Sequence, residues 1–329
     1  MTVVRLRPTP GKGRPGTTSP PLEGQVRMLR QQRRLALVGA VVGLVVGVIA
    51  FLPASLVANA VASATGDQFL LAEAQGTVWN GSALAVLTSG KDGHDASVLP
   101  TRLEWRLRPR LNGIALHLAQ DCCIAHGVDL SLRRGLKSWD VEVVGPGEGA
   151  APAEPAAPGT PPLPRVGAGT SDAIALANAT PLGQWPMGWL EGRGFPWNTI
   201  HPGGLLTLTT RHLSFSYRDG HWRTLGSAQI EIRQASSRLT SLDTLGSYRV
   251  LIQPDASTQL NPGEGASRSL VWISTQEGAL LIDGRGLIGA TGLRLRAEAH
   301  AGAGFEAVLN NLLNLIGRRN GALSVISIG

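Results

Sequence analysis

Patterns that carry chemistry are what this sequence lacks. Its two cysteines, Cys122 and Cys123, are adjacent, so they give neither a C-x-x-C redox pair nor a zinc site. Its seven histidines (94, 117, 126, 201, 212, 221 and 300) stand singly. None forms H-E-x-x-H or joins a cysteine at ligand spacing. There is no G-x-S-x-G, no Walker lysine motif and no local pair of carboxylates. One stretch, Gly284 to Gly289 (GRGLIG), matches G-x-G-x-x-G, but another strand pattern follows it where a nucleotide site needs a helix. It therefore reads as a turn. The expectation is a chain that is not an enzyme and uses no metal, cofactor or small-molecule substrate.

Charge is also scarce, at 16% of residues, and aromatics make up only 5%. With 42 glycines and 21 prolines, this composition suits short strands and turns better than a helical bundle. The net charge of +7 resembles a nucleic-acid signature until it is located. Residues 1–34 hold eight cations and one acid, Glu23, which leaves 22 cations against 22 acids in the remainder. A neutral body argues against a nucleic-acid-binding domain.

Residues 35–66 contain no charged side chain, and 35–52 read LALVGAVVGLVVGVIAFL. Roughly 20 apolar helical residues cross a hydrocarbon core of about 30 Å, so the run predicts a transmembrane anchor over 35–57, with Pro53 ending or kinking the helix. The cations before it place residues 1–34, a basic disordered tail, in the cytoplasm and the bulk in the periplasm of a Gram-negative inner membrane. A cleaved signal peptide is the rival reading, because Ala58-Asn59-Ala60 and Ala62-Ser63-Ala64 resemble cleavage sites. Glycines 39, 43 and 47 fall on one helix face, a pattern that allows close helix packing.

Beyond the anchor, strands predominate. Asn80-Gly81 is a hairpin dipeptide. Leu103, Trp105 and Leu107 alternate with charged residues up to Pro109, which is expected to stop the strand. Alternation returns at Ile114–Leu118, Val128–Leu132, Leu206–Thr209, Leu213–Tyr217, Ile230–Arg233 and Tyr248–Ile252. The Pro/Ala/Gly stretch 145–170 reads as a linker between a first β-rich part, 67–144, and a second, 171–329. Apolar positions 305, 308, 309, 312, 313 and 316 predict an amphipathic helix over 305–319. The fold class expected is mainly β: one transmembrane helix, then an antiparallel region in which duplicated β units are suggested, with that helix near its end. The duplication pairs Trp79–Ala83 with Trp222–Ala228, and Leu103–Arg106 followed by Leu111–Leu118 with Ile230–Arg233 followed by Leu245–Ile252.

Two motifs then point to a family. Gly76-Thr77-Val78-Trp79-Asn80-Gly81-Ser82-Ala83 and Leu103-Glu104-Trp105-Arg106-Leu107-Arg108-Pro109 resemble the signature of the type II secretion system protein N (GspN) family. Gly246-Ser247-Tyr248-Arg249 and residues 275–286 are similar to that family's C-terminal half. The resemblance implies a non-catalytic inner-membrane component of the protein transport machinery, docking with other secretion subunits in the periplasm. Gly76, Trp79, Gly81, Leu103, Trp105, Pro109, Gly246 and Tyr248 are its motif residues, with structural or interaction roles. In this compartment Cys122 and Cys123 can be a strained vicinal bridge, two thiols or a link to another chain. The competing function is an anchored lipid-binding or lipid-transfer protein with an apolar β groove. A sheet face left uncovered would favour that reading, and a face closed by Trp residues and the late helix would favour docking.

Overall fold

The computed structural model describes residues 22–90, 94–135, 138–145, 181–218, 221–255, 268–289 and 292–329, excepting the side chains of 22–34 and of positions 125, 218, 221 and 222. The linker 145–170, apart from Gly145, therefore lies outside the described residues. The chain divides into two units, Met1–Phe51 and Leu52–Gly329.

Among the described residues of the first unit is the helix α1 (Leu22–Ala50). Its described side chains are apolar and face outward: Leu35 is 67% exposed and Leu44 68%. Among the described residues no helix is long and apolar enough to cross a membrane; residues 35–50 would rise about 24 Å. The expected single span over 35–57 is interrupted. α1 stops at Ala50, and α2 (Ser55–Thr65) begins after a break at residues 51–54. Pro53 is the physical reason, since proline has no N–H for a helix interior and disfavours α geometry in the residue before it. Within the second unit, Pro53 bridges Thr77, and the Leu52 carbonyl accepts the Val78 N–H at 2.9 Å.

The second unit is a single antiparallel sheet of 15 strands: β1 (Phe69–Gly76), β2 (Asn80–Thr88), β3 (Ala96–Arg110), β4 (Gly113–Gln120), β5 (Ile124–Arg134), β6 (Ser138–Val144), β7 (Gly183–Pro186), β8 (Pro202–Arg218), β9 (His221–Ser237), β10 (Gly246–Pro254), β11 (Ser269–Gly278), β12 (Leu280–Gly289), β13 (Gly292–Ala301), β14 (Arg318–Asn320) and β15 (Leu323–Ile328). Neighbours in sequence are mostly neighbours in space, as hairpin connections favour. β6 pairs with the end of β8, and β7 pairs with its beginning. The two β-rich parts thus share one sheet. A 3-10 helix (Met187–Arg193) and a short helix, α3 (Trp197–Ile200), follow β7. α4 (Glu306–Ile316) lies between β13 and β14.

Several local expectations shift. The first turn falls before Asn80-Gly81, which already belong to β2. Thr77 closes it by donating its N–H to the Asn80 carbonyl at 2.9 Å, and Gly76 supplies a φ of 88°, a conformation that favours glycine. Pro109 does not stop β3, which runs on to Arg110 with Pro109 opposite Ile114. The N–H of Leu107 points to Trp79, the last contact on the β2 side. Two residues on, the N–H that proline lacks would face the same side, where β2 has ended. The predicted helix ends at Ile316, and Arg318 and Arg319 belong to β14. Gly317 turns the chain in extended geometry, where a Cβ would lie 2.6 Å from the Val325 carbonyl oxygen. Gly284 and Gly286 sit inside β12, not in a turn, and let β13 approach closely: a Cβ on Gly286 would lie 2.3 Å from the Arg294 carbonyl. The proposed duplication maps onto the topology only in part: Leu103–Arg106 and the segment after it fall on neighbouring strands β3 and β4, as Ile230–Arg233 and the segment after it fall on β9 and β10, but the tryptophan segments differ in placement. Trp79–Ala83 and Leu103–Arg106 are on different strands, whereas Trp222–Ala228 and Ile230–Arg233 both lie on β9. Amphipathic strands resemble one another because every half-buried strand alternates.

The two helices on the sheet bury themselves unequally. α4 inserts Leu309, Leu312 and Leu313, each no more than 2% exposed, among Leu245, Ala279, Leu280 and Ala299. α2 has no buried residue and offers Val57, Ala58 and Val61, half-buried, to a cluster around Leu71, Ala83 and Trp105.

Candidate functional site

The family-motif residues come together in two places. At the β1–β2 turn, Gly76 pairs with Gly81, and Gly81 lies opposite Trp105. A Cβ on Gly81 would sit 2.5 Å from the Trp105 ring, so the glycine gives the indole its place. Trp105 is 2% exposed and donates its indole N–H to the Val78 carbonyl at 3.1 Å. Trp79 is half-buried in the same turn, and its carbonyl accepts the Leu107 N–H. Leu103 is half-buried on the inner face of β3, and Pro109 is exposed. The second place is β10. Gly246 pairs with Gly278, and a Cβ on it would meet the Glu277 carbonyl at 2.4 Å. Tyr248 is buried and donates its hydroxyl to the Leu280 carbonyl at 2.9 Å. Burial pushes its phenol pKa well above the usual tyrosine range. Both places organise a hairpin.

Cys122 and Cys123 form a vicinal disulfide in the β4–β5 turn. Cys123 is buried beside Ala85 and Leu99, with Trp185 and Trp189 packed against it. Its carbonyl accepts the Gln184 N–H at 2.8 Å. The bridge thus sits under the start of a strap, residues 183–200, that crosses the inner face of β1–β3.

That strap and α2 flank a cavity of about 370 Å³. Its floor is the inner face of β1–β5, including Leu71, Ala85, Leu99, Leu103, Trp105, Leu116 and Leu118; Val57 and Val61 line it from α2, and Trp185 and Trp189 from the strap. Phe69 meets Trp189 edge to face, with ring centroids 6.1 Å apart. The strap is fastened by Gln184 to Cys123, by Arg193 to Gln68 at 2.5 Å and by Asn198 to Asp95 at 3.1 Å. Gly192 permits the close approach: a Cβ there would lie 2.2 Å from the Leu87 carbonyl. The inner face is therefore closed over its second half by α4 and only partly closed over its first half.

Sequence reasoning missed the strap. Its signal was Trp185-Pro186-Met187-Gly188-Trp189, two indoles in five residues of a chain poor in aromatics.

The outer face carries a different feature. Trp272, Arg285, Arg296 and Ser327 form one cross-strand row on β11, β12, β13 and β15. Leu287 and Arg294 are opposed in the next row. All six side chains are exposed. Arginines placed directly opposite each other repel. Among the described residues, the arginine–carboxylate pairs fall elsewhere, at Arg102, Arg133, Arg233 and Arg249. Also among the described residues, no group of three or more His, Cys, Asp or Glu side chains is placed to hold a metal ion.

Residues 68–325 match the family model described as "Type II secretion system (T2SS), protein N". No curated protein and no solved structure matches the chain.

Proposed function

Because the chain belongs to the type II secretion system protein N family, we propose that it acts as a non-catalytic, membrane-anchored component of that machinery, docking on other secretion subunits in the periplasm. The family match carries this reading. Family membership implies interaction with other type II secretion components. The anchor in this reading is the α1 stretch 35–50, which has no charge and whose large side chains are apolar and exposed. Arg27, Arg30, Arg33 and Arg34 stand at its cytoplasmic end.

For the docking surface, the reading assigns the Trp272, Arg285, Leu287, Arg294 and Arg296 face to an acidic segment of a partner subunit. Tryptophan and arginine are the residues that most often dominate binding energy at interfaces. Like charges opposed in adjacent strands lose their mutual repulsion when carboxylates arrive between them.

The test places a photoreactive residue at Trp272, at Arg106 and at Arg233 in intact secreting cells. The expected result is a crosslink to a secretion subunit from position 272, reduced when Arg285, Arg294 and Arg296 are all changed to Glu. Absence of any secretion subunit from the crosslinks at all three positions overturns the docking role.

A further inference from the structure

The geometry points to a lipid site: the cavity under α2 and the Trp185–Trp189 strap holds one acyl chain of a membrane phospholipid. This rests on the anchor reading above for the source of the ligand, and on the cavity alone for its chemistry.

The lining is hydrocarbon and indole. Its one amide side chain, Gln120, is already engaged, donating to the Thr101 carbonyl at 2.8 Å. An occupant therefore finds no free charge and no water-binding wall, which selects an apolar chain over a sugar, a nucleotide or a peptide backbone. The volume of about 370 Å³ exceeds the ~150 Å³ of an engineered apolar cavity that stays dry and takes up benzene. By that ratio it has room for roughly 15 carbon atoms, the scale of a single acyl chain.

The void is written into the sequence. Ala85, 2% exposed on the floor, stands where a larger residue would fill the space. α2 supplies two valines where α4 supplies three fully buried leucines. Protein interiors contain few voids larger than a water molecule, so a space of this size, walled by residues that leave it open, is one that an occupant completes. The source follows from chain order. Four residues, 51–54, separate the end of α1 from the start of α2. With α1 in the bilayer, the helix that walls the cavity is joined to the anchor by that short stretch, and the hydrocarbon at hand is phospholipid.

The experiment reconstitutes the full chain in vesicles of phosphatidylethanolamine and phosphatidylglycerol, doped with a phosphatidylcholine carrying a diazirine near the end of one acyl chain. After illumination the labelled peptides are mapped by mass spectrometry. The expected result is label on α1 and also on β2–β5 or the strap. Ala85→Phe, and separately Leu116→Trp, should cut the cavity label roughly tenfold, equivalent to about 1.4 kcal/mol of binding, while α1 label and strand content by circular dichroism stay unchanged. Label confined to α1 overturns the lipid site and leaves the anchor standing. Label on the cavity strands without α1 supports the lipid site and sinks the anchor. Cavity label that persists undiminished in both folded variants overturns the proposal.

Discussion

The two ends of the sheet solve the same problem differently. Each has an inner apolar face that must leave water, and each is crossed by a helix of eleven residues. Over β10–β15, α4 drives three leucines to near-zero exposure and meets small partners such as Ala299, 0% exposed, across a closed interface. Over β1–β5, α2 buries none of its residues fully, a strap of two tryptophans covers the other side, and a cavity remains. What differs is side-chain volume on equivalent architecture. Leucines fill one end, while valines and alanines leave room at the other. The filled end serves stability and the open end is the one available for a ligand.

The comparison predicts its largest contrast in the helices. Leu312→Ala should cost about 2–5 kcal/mol, the cavity-creating range, whereas Val61→Ala, which only enlarges an existing space, should cost less than about 1 kcal/mol. Urea unfolding of the two variants measures this, and equal losses would erase the distinction. Next, Gly81→Ala should destabilise by about 1–3 kcal/mol, because its methyl group overlaps the Trp105 ring and a backbone carbonyl. The Trp105 fluorescence should shift with it.

Tyr248→Phe should cost about 1–2 kcal/mol by orphaning the buried Leu280 carbonyl. Its pH signature has a definite sign. Burial raises the phenol pKa in the folded chain above the ordinary value of about 10. The contribution is therefore fully present below about pH 10 and falls as pH rises beyond it toward the folded value. Stability of the Phe variant should decline less over that alkaline range. The smallest effect expected is from reducing Cys122–Cys123. A bridge between neighbours closes almost no loop, so it constrains the unfolded chain little, and thermal unfolding with and without a reductant should differ by less than about 1 kcal/mol.

Much of this architecture was legible in the sequence, and the reasons are physical. The alternation at Leu103–Trp105–Leu107 and Ile114–Leu116–Leu118 is the period of a half-buried strand, and both segments are adjacent strands of the sheet. The stripe at 308, 309, 312, 313 and 316 gave α4, although the end of the helix was set by Gly317 and the pairing of Arg318 with Val325, which periodicity does not see. Pro109 misled because its effect depends on which side of β3 still has a neighbour, a fact of tertiary structure. The motif residues Gly81 and Trp105 were visible, but their mutual packing needed the β2–β3 register. The cavity was not legible at all. A void is a difference between the volumes of residues far apart in sequence, here Val61, Ala85, Leu116 and Trp189, and no local pattern encodes it.

The central claim, that one end of the sheet is filled and the other open, is tested most directly by placing the same large side chain in each. Ala85→Phe and Ala299→Phe should be compared by urea unfolding of the full chain. The account predicts that Ala299→Phe loses about 1–3 kcal/mol through overpacking, while Ala85→Phe is neutral or more stable, since its ring enters empty space. Equal destabilisation of the two variants would contradict it.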